Sequence, residues 1–124
     1  MSPATQRPIS TFRDLRVWQE SIELVKQIHT LCAELPKEEM SGLSGQMKRA
    51  VVSVSSNIAE GHARNHRAEY RQSIYISIGS LAELETQLHI GTELGFLNKE
   101  KTLAAITRIN QLRAMLLTLG GRLS

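Results

Sequence analysis

Residues 66–94 read HRAEYRQSIYISIGSLAELETQLHIGTEL, and they place Tyr70, Ile74, Ser77, Leu81, Leu84, Leu88 and Gly91 at alternating steps of four and three. That spacing holds one face of an α-helix against a partner helix, so the stretch predicts a long helix with a packed seam. Asn65 is expected to cap its start. Gly95 is expected to end it, because glycine enters a left-handed turn at little steric cost. A strand would need sustained alternation of period two, which is brief everywhere in this chain.

The neighbouring stretches repeat the pattern. Leu43, Met47, Ala50, Val54, Asn57 and Gly61 predict a helix from Ser41 or Ser44 to Glu60, with Gly61 as its closing residue. Upstream, a helix from about Thr11 to Leu35 carries two apolar lines. Leu15, Trp18, Ile22, Val25, His29 and Cys32 form one, and Leu24, Ile28, Leu31 and Leu35 the other. Ser10 or Thr11 is the expected cap, Asp14 suits the positive end of the helix dipole, and Pro36 stops the ladder. On this reading His29 is a satisfied core residue and Cys32 an inert core thiol. Downstream, Ala105, Ile109, Leu112, Leu116 and Leu119 predict a helix from the cap Asn98 to Leu119, ended by Gly120 and Gly121. Short connections force consecutive helices to reverse direction. The expected fold is all-α: an antiparallel up-down-up-down four-helix bundle over residues 11–120, a single domain behind a flexible N-terminal segment, residues 1–10.

Composition agrees with a globular domain. The chain has 124 residues, 41% apolar and 22% charged, enough to bury a core without staples. A single cysteine excludes an internal disulfide and fits a reducing compartment. No apolar run approaches the roughly 18 residues of a membrane span, and the first residues lack a signal-peptide core. The expectation is a soluble, cytoplasmic protein with no membrane partner.

Several helices carry more apolar residues than one seam uses. Ile76, Ile78 and Ile90 are surplus in the third helix, Val51, Val52 and Ile58 in the second, and Leu103, Ile106 and Met115 in the fourth. A bundle helix needs about three apolar positions in seven. The surplus predicts a second buried face, hence a homo-oligomer.

Charge is uneven along the chain. The total is +3, but residues 101–124 hold Lys101, Arg108, Arg113 and Arg122 without an acid, while residues 80–100 are net acidic. Lys48 and Arg49 in the second helix, and Arg64, Arg67 and Arg71 around the start of the third, add basic groups. With Arg108 and Arg113, these are the candidate contacts for nucleic acid or a partner. The pattern suits attraction to phosphate. Scarce aromatic residues argue against strong base stacking.

No residues assemble a recognisable catalytic or metal motif. There is no glycine-rich phosphate loop and no Cys/His pair of zinc type. His62, His66 and Glu69 have ligand spacing only if they share a helix, which Gly61 and Asn65 oppose. Ser53, Ser55, Ser56, Asn57 and Glu60 form the densest polar group, with Glu83 and Gln87 as expected partners of a buried Asn57. That cluster predicts a polar network fixing helix register rather than catalysis. The expectation is no enzyme, no cofactor, no metal and no small-molecule substrate.

Three segments carry a resemblance: Gly42-Leu43-Ser44-Gly45-Gln46-Met47-Lys48-Arg49-Ala50, Val52 through Gly61 with its Asn-Ile-Ala-Glu-Gly string, and Gly79 through Leu88. With the opening Phe12-Arg13-Asp14-Leu15-Arg16-Val17-Trp18-Gln19, they resemble the 23S rRNA intervening-sequence proteins, also called four helix bundle proteins. Gln46, Arg49, Asn57, Glu60, Gly61 and Glu83 match the family motif. The resemblance implies a small cytosolic bundle assembled as a homopentamer, in a family whose function is not established. A more distant likeness is to the accessory protein of diversity-generating retroelements, which binds nucleic acid and a reverse transcriptase. The resulting expectation is a non-enzymatic, homo-oligomeric bundle that binds RNA or a nucleoprotein through basic surface. The alternative is a protein–protein adaptor without nucleic-acid binding, such as an accessory subunit of a reverse transcriptase.

Overall fold

A computed structural model describes residues 11–124; the segment 1–10 lies outside the described residues. Among the described residues the chain forms four α-helices and no strand: α1 Arg16–Cys32, α2 Leu43–Ala63, α3 Arg67–Glu93 and α4 Lys99–Arg122. Short 3-10 turns at Phe12–Asp14 and Lys37–Glu39 precede α1 and α2. Each helix packs on the next, and α4 closes the bundle on α1, while the diagonal pairs stay apart. No described helix is long and apolar enough to cross a membrane.

The alternating steps of four and three produce the seams they predict. In α3, Ile74, Ser77, Leu81, Leu84, Leu88 and Gly91 are buried and Tyr70 is half-buried. In α4, Ala105, Ile109, Leu112 and Leu116 are buried, and Asn98 caps the helix by accepting from Lys101 N at 2.9 Å. Gly95 adopts φ +78° and ends α3 as expected, letting Phe96 N donate to Gly91 O at 2.9 Å.

Small residues bring α2 and α3 close. Ser77 Oγ donates to Val54 O at 3.0 Å, and Ser80 Oγ donates to Ser53 Oγ at 3.0 Å. Ser21 of α1 meets Ser55 of α2 at 2.8 Å, hydroxyl to hydroxyl. Each serine hydroxyl is thus satisfied where a larger side chain would hold the helices apart.

Helix ends depart from expectation in informative ways. Thr11 caps the 3-10 turn rather than α1: Arg13 N donates to Thr11 Oγ1, and Thr11 N donates to Asp14 Oδ2, both at 3.2 Å. α1 then starts at Arg16 behind an extended Leu15. The core line of α1 is the one through Leu24, Ile28, Leu31 and Leu35, so His29 is exposed rather than a core residue. Its Nδ1 lies 3.0 Å from Val25 O of its own helix. Cys32 is buried as expected. Burial pushes its thiol above the ordinary range, against the smaller opposing effects of its hydrogen bond to Ser44 O and the Lys48 charge.

α2 does not close at Gly61 but continues to Ala63. Gly61 is a packing residue, since a Cβ there would stand 2.7 Å from Ser73 Cβ and 3.1 Å from Tyr70 Cδ1. Asn65, expected to cap α3, instead takes φ +56° and reverses the chain, a left-handed conformation that asparagine tolerates. His66 stands at the N-cap of α3 without a side-chain cap bond. α4 likewise runs through Gly120 and Gly121 to Arg122. Gly120 admits the Tyr75 ring, whose Cε2 lies 3.0 Å from where a Cβ would sit.

Candidate nucleic-acid interface

The bundle gathers basic residues from distant parts of the sequence at one end. Contacts link the turn before α1 with the end of α2, the end of α2 with the start of α3, and the start of α3 with the end of α4. Thr11, Phe12 and Arg13 share a cleft with His62, Ala63 and Asn65. Arg67 Nη2 donates a short hydrogen bond to Arg122 O, and Arg71 Nε donates to Ser124 Oγ at 3.2 Å. Arg13, Arg16, Arg64, Arg67, Arg71 and Arg122 thus fall at the helix ends joined here, with the acids Asp14, Glu60 and Glu69. The opposite end carries Glu34, Glu38, Glu39, Glu93 and Glu100 against Lys37, Lys48, Arg49, Lys99 and Lys101, acids and bases in equal number. A bundle with one net-basic end and one balanced end attracts phosphate toward the basic one.

The candidate contacts divide accordingly. Arg64, Arg67 and Arg71 are exposed at the basic pole. Arg64 pairs with Glu69 at 3.1 Å, and His66 lies 3.8 Å from the same carboxylate. Arg71 also covers the Tyr75 ring at 5.0 Å from its centroid. Arg108 and Arg113 lie elsewhere, on the flank of α4. Arg108 reaches Gln27 at 3.0 Å and Glu20 at 3.9 Å, and Arg113 is held by Glu85 at 2.6 Å. Neutralised by acids of neighbouring helices, they join α4 to α1 and α3. Lys48 and Arg49 sit near the start of α2, far from the basic pole, with Arg49 Nη1 folded back to within 3.3 Å of a Cβ position at Gly45. Arg13, Arg16 and Arg122, which no linear spacing connects with the start of α3, complete the pole.

The residues of the matching motif behave differently from expectation. Asn57 is half-buried and donates to Ser53 O at 2.8 Å and Ser53 Oγ at 3.1 Å, both in its own helix. It does not meet Glu83 or Gln87. Gln87 Nε2 instead lies 3.4 Å from Glu83 Oε2 one turn back in α3. Gln46, Arg49, Glu60 and Glu83 are exposed, and Gly61 alone of the six is buried. A shallow groove holds Asn57 and Glu60 beside Arg64, Glu69 and Ser73, without Glu83. Among the described residues, no group of three or more His, Cys, Asp or Glu could hold a metal ion. His62 turns its ring edge-on to Tyr70, at 5.7 Å between centroids, rather than toward Glu69. Burial also raises the Tyr70 phenol above its ordinary range.

The surplus apolar residues separate into two sets. Val51 and Ile58 are fully buried, while Ile78, Ile106 and Met115 are partly covered by the core. Val52, Ile76, Ile90 and Leu103 stay between 44% and 52% exposed, and Leu94 reaches 58%. Two of these, Ile76 and Ile90, lie on α3 and Leu94 stands at its C-cap, so the apolar residues of this helix extend round to the solvent side.

Comparison with known proteins follows the same lines. The family model described as 23S rRNA-intervening sequence protein matches residues 13–118. The crystal structure of a protein of unknown function from the S23 ribosomal protein family of Bacteroides thetaiotaomicron VPI-5482 superposes with a TM-score of 0.78. It is 21% identical, and the match covers 85% of this chain and 95% of that one, a likeness of fold. No curated protein matches the chain.

Proposed function

The chain belongs to the 23S rRNA-intervening sequence protein family, and from that premise we propose that it is a non-enzymatic, homo-oligomeric bundle that binds RNA through its basic pole. The observation that carries this reading is the placement of six arginines at the helix ends that the contacts of this pole join. Exposed cations at one pole suit the sugar–phosphate backbone and do not by themselves read sequence. The antiparallel up-down-up-down course belongs to the same proposal. It is supported by Gly91 of late α3 lying against Leu43 of early α2, and Gly61 of late α2 against Ser73 of early α3. The non-enzymatic assignment is supported by the separation of Glu83 from Asn57 and Glu60. A cytoplasmic location fits the lone buried thiol.

Self-association is supported by the apolar residues left on α3 and by Val52 of α2. Homopentamers, as the resemblance implies, would carry five basic poles and add weak phosphate contacts through effective concentration. Light scattering at micromolar protein is expected to return a multiple of 13.8 kDa. A mass of 13.8 kDa would remove self-association from the reading.

RNA binding is tested by titrating a labelled single-stranded RNA at low and moderate salt. Affinity is expected to fall steeply with salt. Replacing Arg67 and Arg71 together with Ala is expected to weaken binding by about tenfold or more at low salt and to flatten the salt slope by about one unit per lost contact. Replacing Arg108 and Arg113 should change binding far less, since their charges are already met by Glu20 and Glu85. Binding indifferent to salt, or equal losses from both pairs, would refute the basic-pole reading. The exposed apolar residues of α3 also favour a second reading, a protein–protein adaptor. A partner whose capture survives nuclease treatment and salt, with no RNA affinity, would select it.

A further inference from the structure

The basic pole contains a cleft of about 430 Å³ between the 3-10 turn before α1 and the end of α2. Its volume lies within the range of small-molecule sites. Arg13 and Phe12 form one wall, with the guanidinium over the ring at 5.3 Å from its centroid, within cation–π range. His62 and Asn65 stand on the other side. Scarce aromatics were expected to make stacking weak, yet four of the five, Phe12, Trp18, Tyr70 and Tyr75, lie toward this pole, and Phe96 alone does not. Two of them hold the cleft walls from behind. Trp18 meets Phe12 edge-on at 5.3 Å between centroids, and Tyr70 meets His62 edge-on.

From this juxtaposition we propose that the cleft receives a single unstacked nucleobase, with the adjoining phosphate directed to the arginines of the pole. The proposal rests on the RNA-binding reading and deepens it. Planar guanidinium, phenyl and imidazole groups are the side chains on which unpaired RNA bases stack, and such stacking tolerates any base. Asn65 adds an amide that can both donate to and accept from a base edge. Its left-handed conformation, φ +56°, is the turn that sets it at the cleft beside His62. Base recognition here would therefore favour single strands and ends over continuous duplex, whose bases remain stacked.

The test uses the full chain, 15N-labelled, titrated separately with AMP, UMP and ribose 5-phosphate while backbone amides are followed by NMR. AMP and UMP are expected to move the amides of Arg13, His62, Ala63 and Asn65 saturably at millimolar concentrations. Ribose 5-phosphate is expected to bind there about tenfold more weakly, because it lacks the stacking face. His62→Ala should weaken AMP by about tenfold and leave ribose 5-phosphate unchanged. Asn65→Gly, which keeps the left-handed turn, should alter the ratio of AMP to UMP. Equal binding of all three probes, or shifts that avoid the cleft, would overturn the proposal. A salt-dependent RNA titration run beside it separates the two ideas. RNA bound without movement of the cleft amides removes the base site and keeps the basic pole. AMP in the cleft without RNA affinity keeps a nucleotide site and removes the RNA reading.

Discussion

Gly61→Leu is expected to disrupt the bundle, with loss of the cooperative thermal transition seen by circular dichroism. Even the first carbon of a side chain at this position would lie 2.7 Å from Ser73 Cβ, with the backbone of α3 behind it. Neither atom sits at the end of a flexible chain, so the helices themselves must part. Overpacking of this kind costs about 1–3 kcal/mol for small insertions. Gly61→Ala should therefore destabilise, even though alanine gains about 1 kcal/mol in helix propensity. Leucine, with three further carbons directed into the same seam, should exceed that range against a total stability of about 5–15 kcal/mol. Two companion variants make the cause specific. Ser73→Gly in the Gly61→Ala background removes the opposing Cβ and should recover part of the loss. Gly79→Ala, at a position with nothing within 4 Å of a Cβ, should stabilise the bundle by about 1 kcal/mol. A Gly61→Ala protein as stable as its parent would contradict close packing of α2 on α3.

Leu84→Ala is the second large effect. Leu84 is fully buried in the core, as are Leu81 and Leu88 on the same helix face. Removing three buried carbons loses their transfer energy and leaves a cavity that rigid neighbours fill only in part, at a cost of about 2–5 kcal/mol. Urea unfolding should show a lower midpoint with an unchanged slope, since the surface exposed on unfolding hardly alters. Ile76→Ala, on the same helix but 47% exposed, should cost the fold less than about 1 kcal/mol. If the two variants lose equal stability, Ile76 contributes to a buried face of an assembly, and the loss should then depend on protein concentration.

The candidate site was less legible than the fold. Arg64, Arg67 and Arg71 crowd one short stretch of sequence, and their exposure follows from the turn at Asn65. Arg108 and Arg113 looked equally basic in sequence. Their acid partners, Glu20 and Glu85, belong to other helices, and only packing brings them together. Asn57 looked buried because it occupies a seam position. It lies at the margin of α2's buried face and satisfies itself on Ser53 instead of crossing to α3. His29 failed for a related reason. α1 carries two adjacent apolar lines, and spacing cannot say which of two lines about one residue apart faces the core.

Helix number, helix faces and the seam residues of α2, α3 and α4 were determined by the sequence itself. A repeat of apolar residues every three or four positions allows only one local solution, and Gly95 and Asn98 mark the turn between α3 and α4. The tertiary structure decided the rest. It chose the core line of α1, turned Gly61 from a helix terminator into a point of close helix contact, paired Arg108 and Arg113 with acids, and joined Arg13 to His62 and Asn65 across a cleft. These outcomes depend on distances between residues far apart in the chain. Periodicity is a local property and carries no information about which helix end meets which.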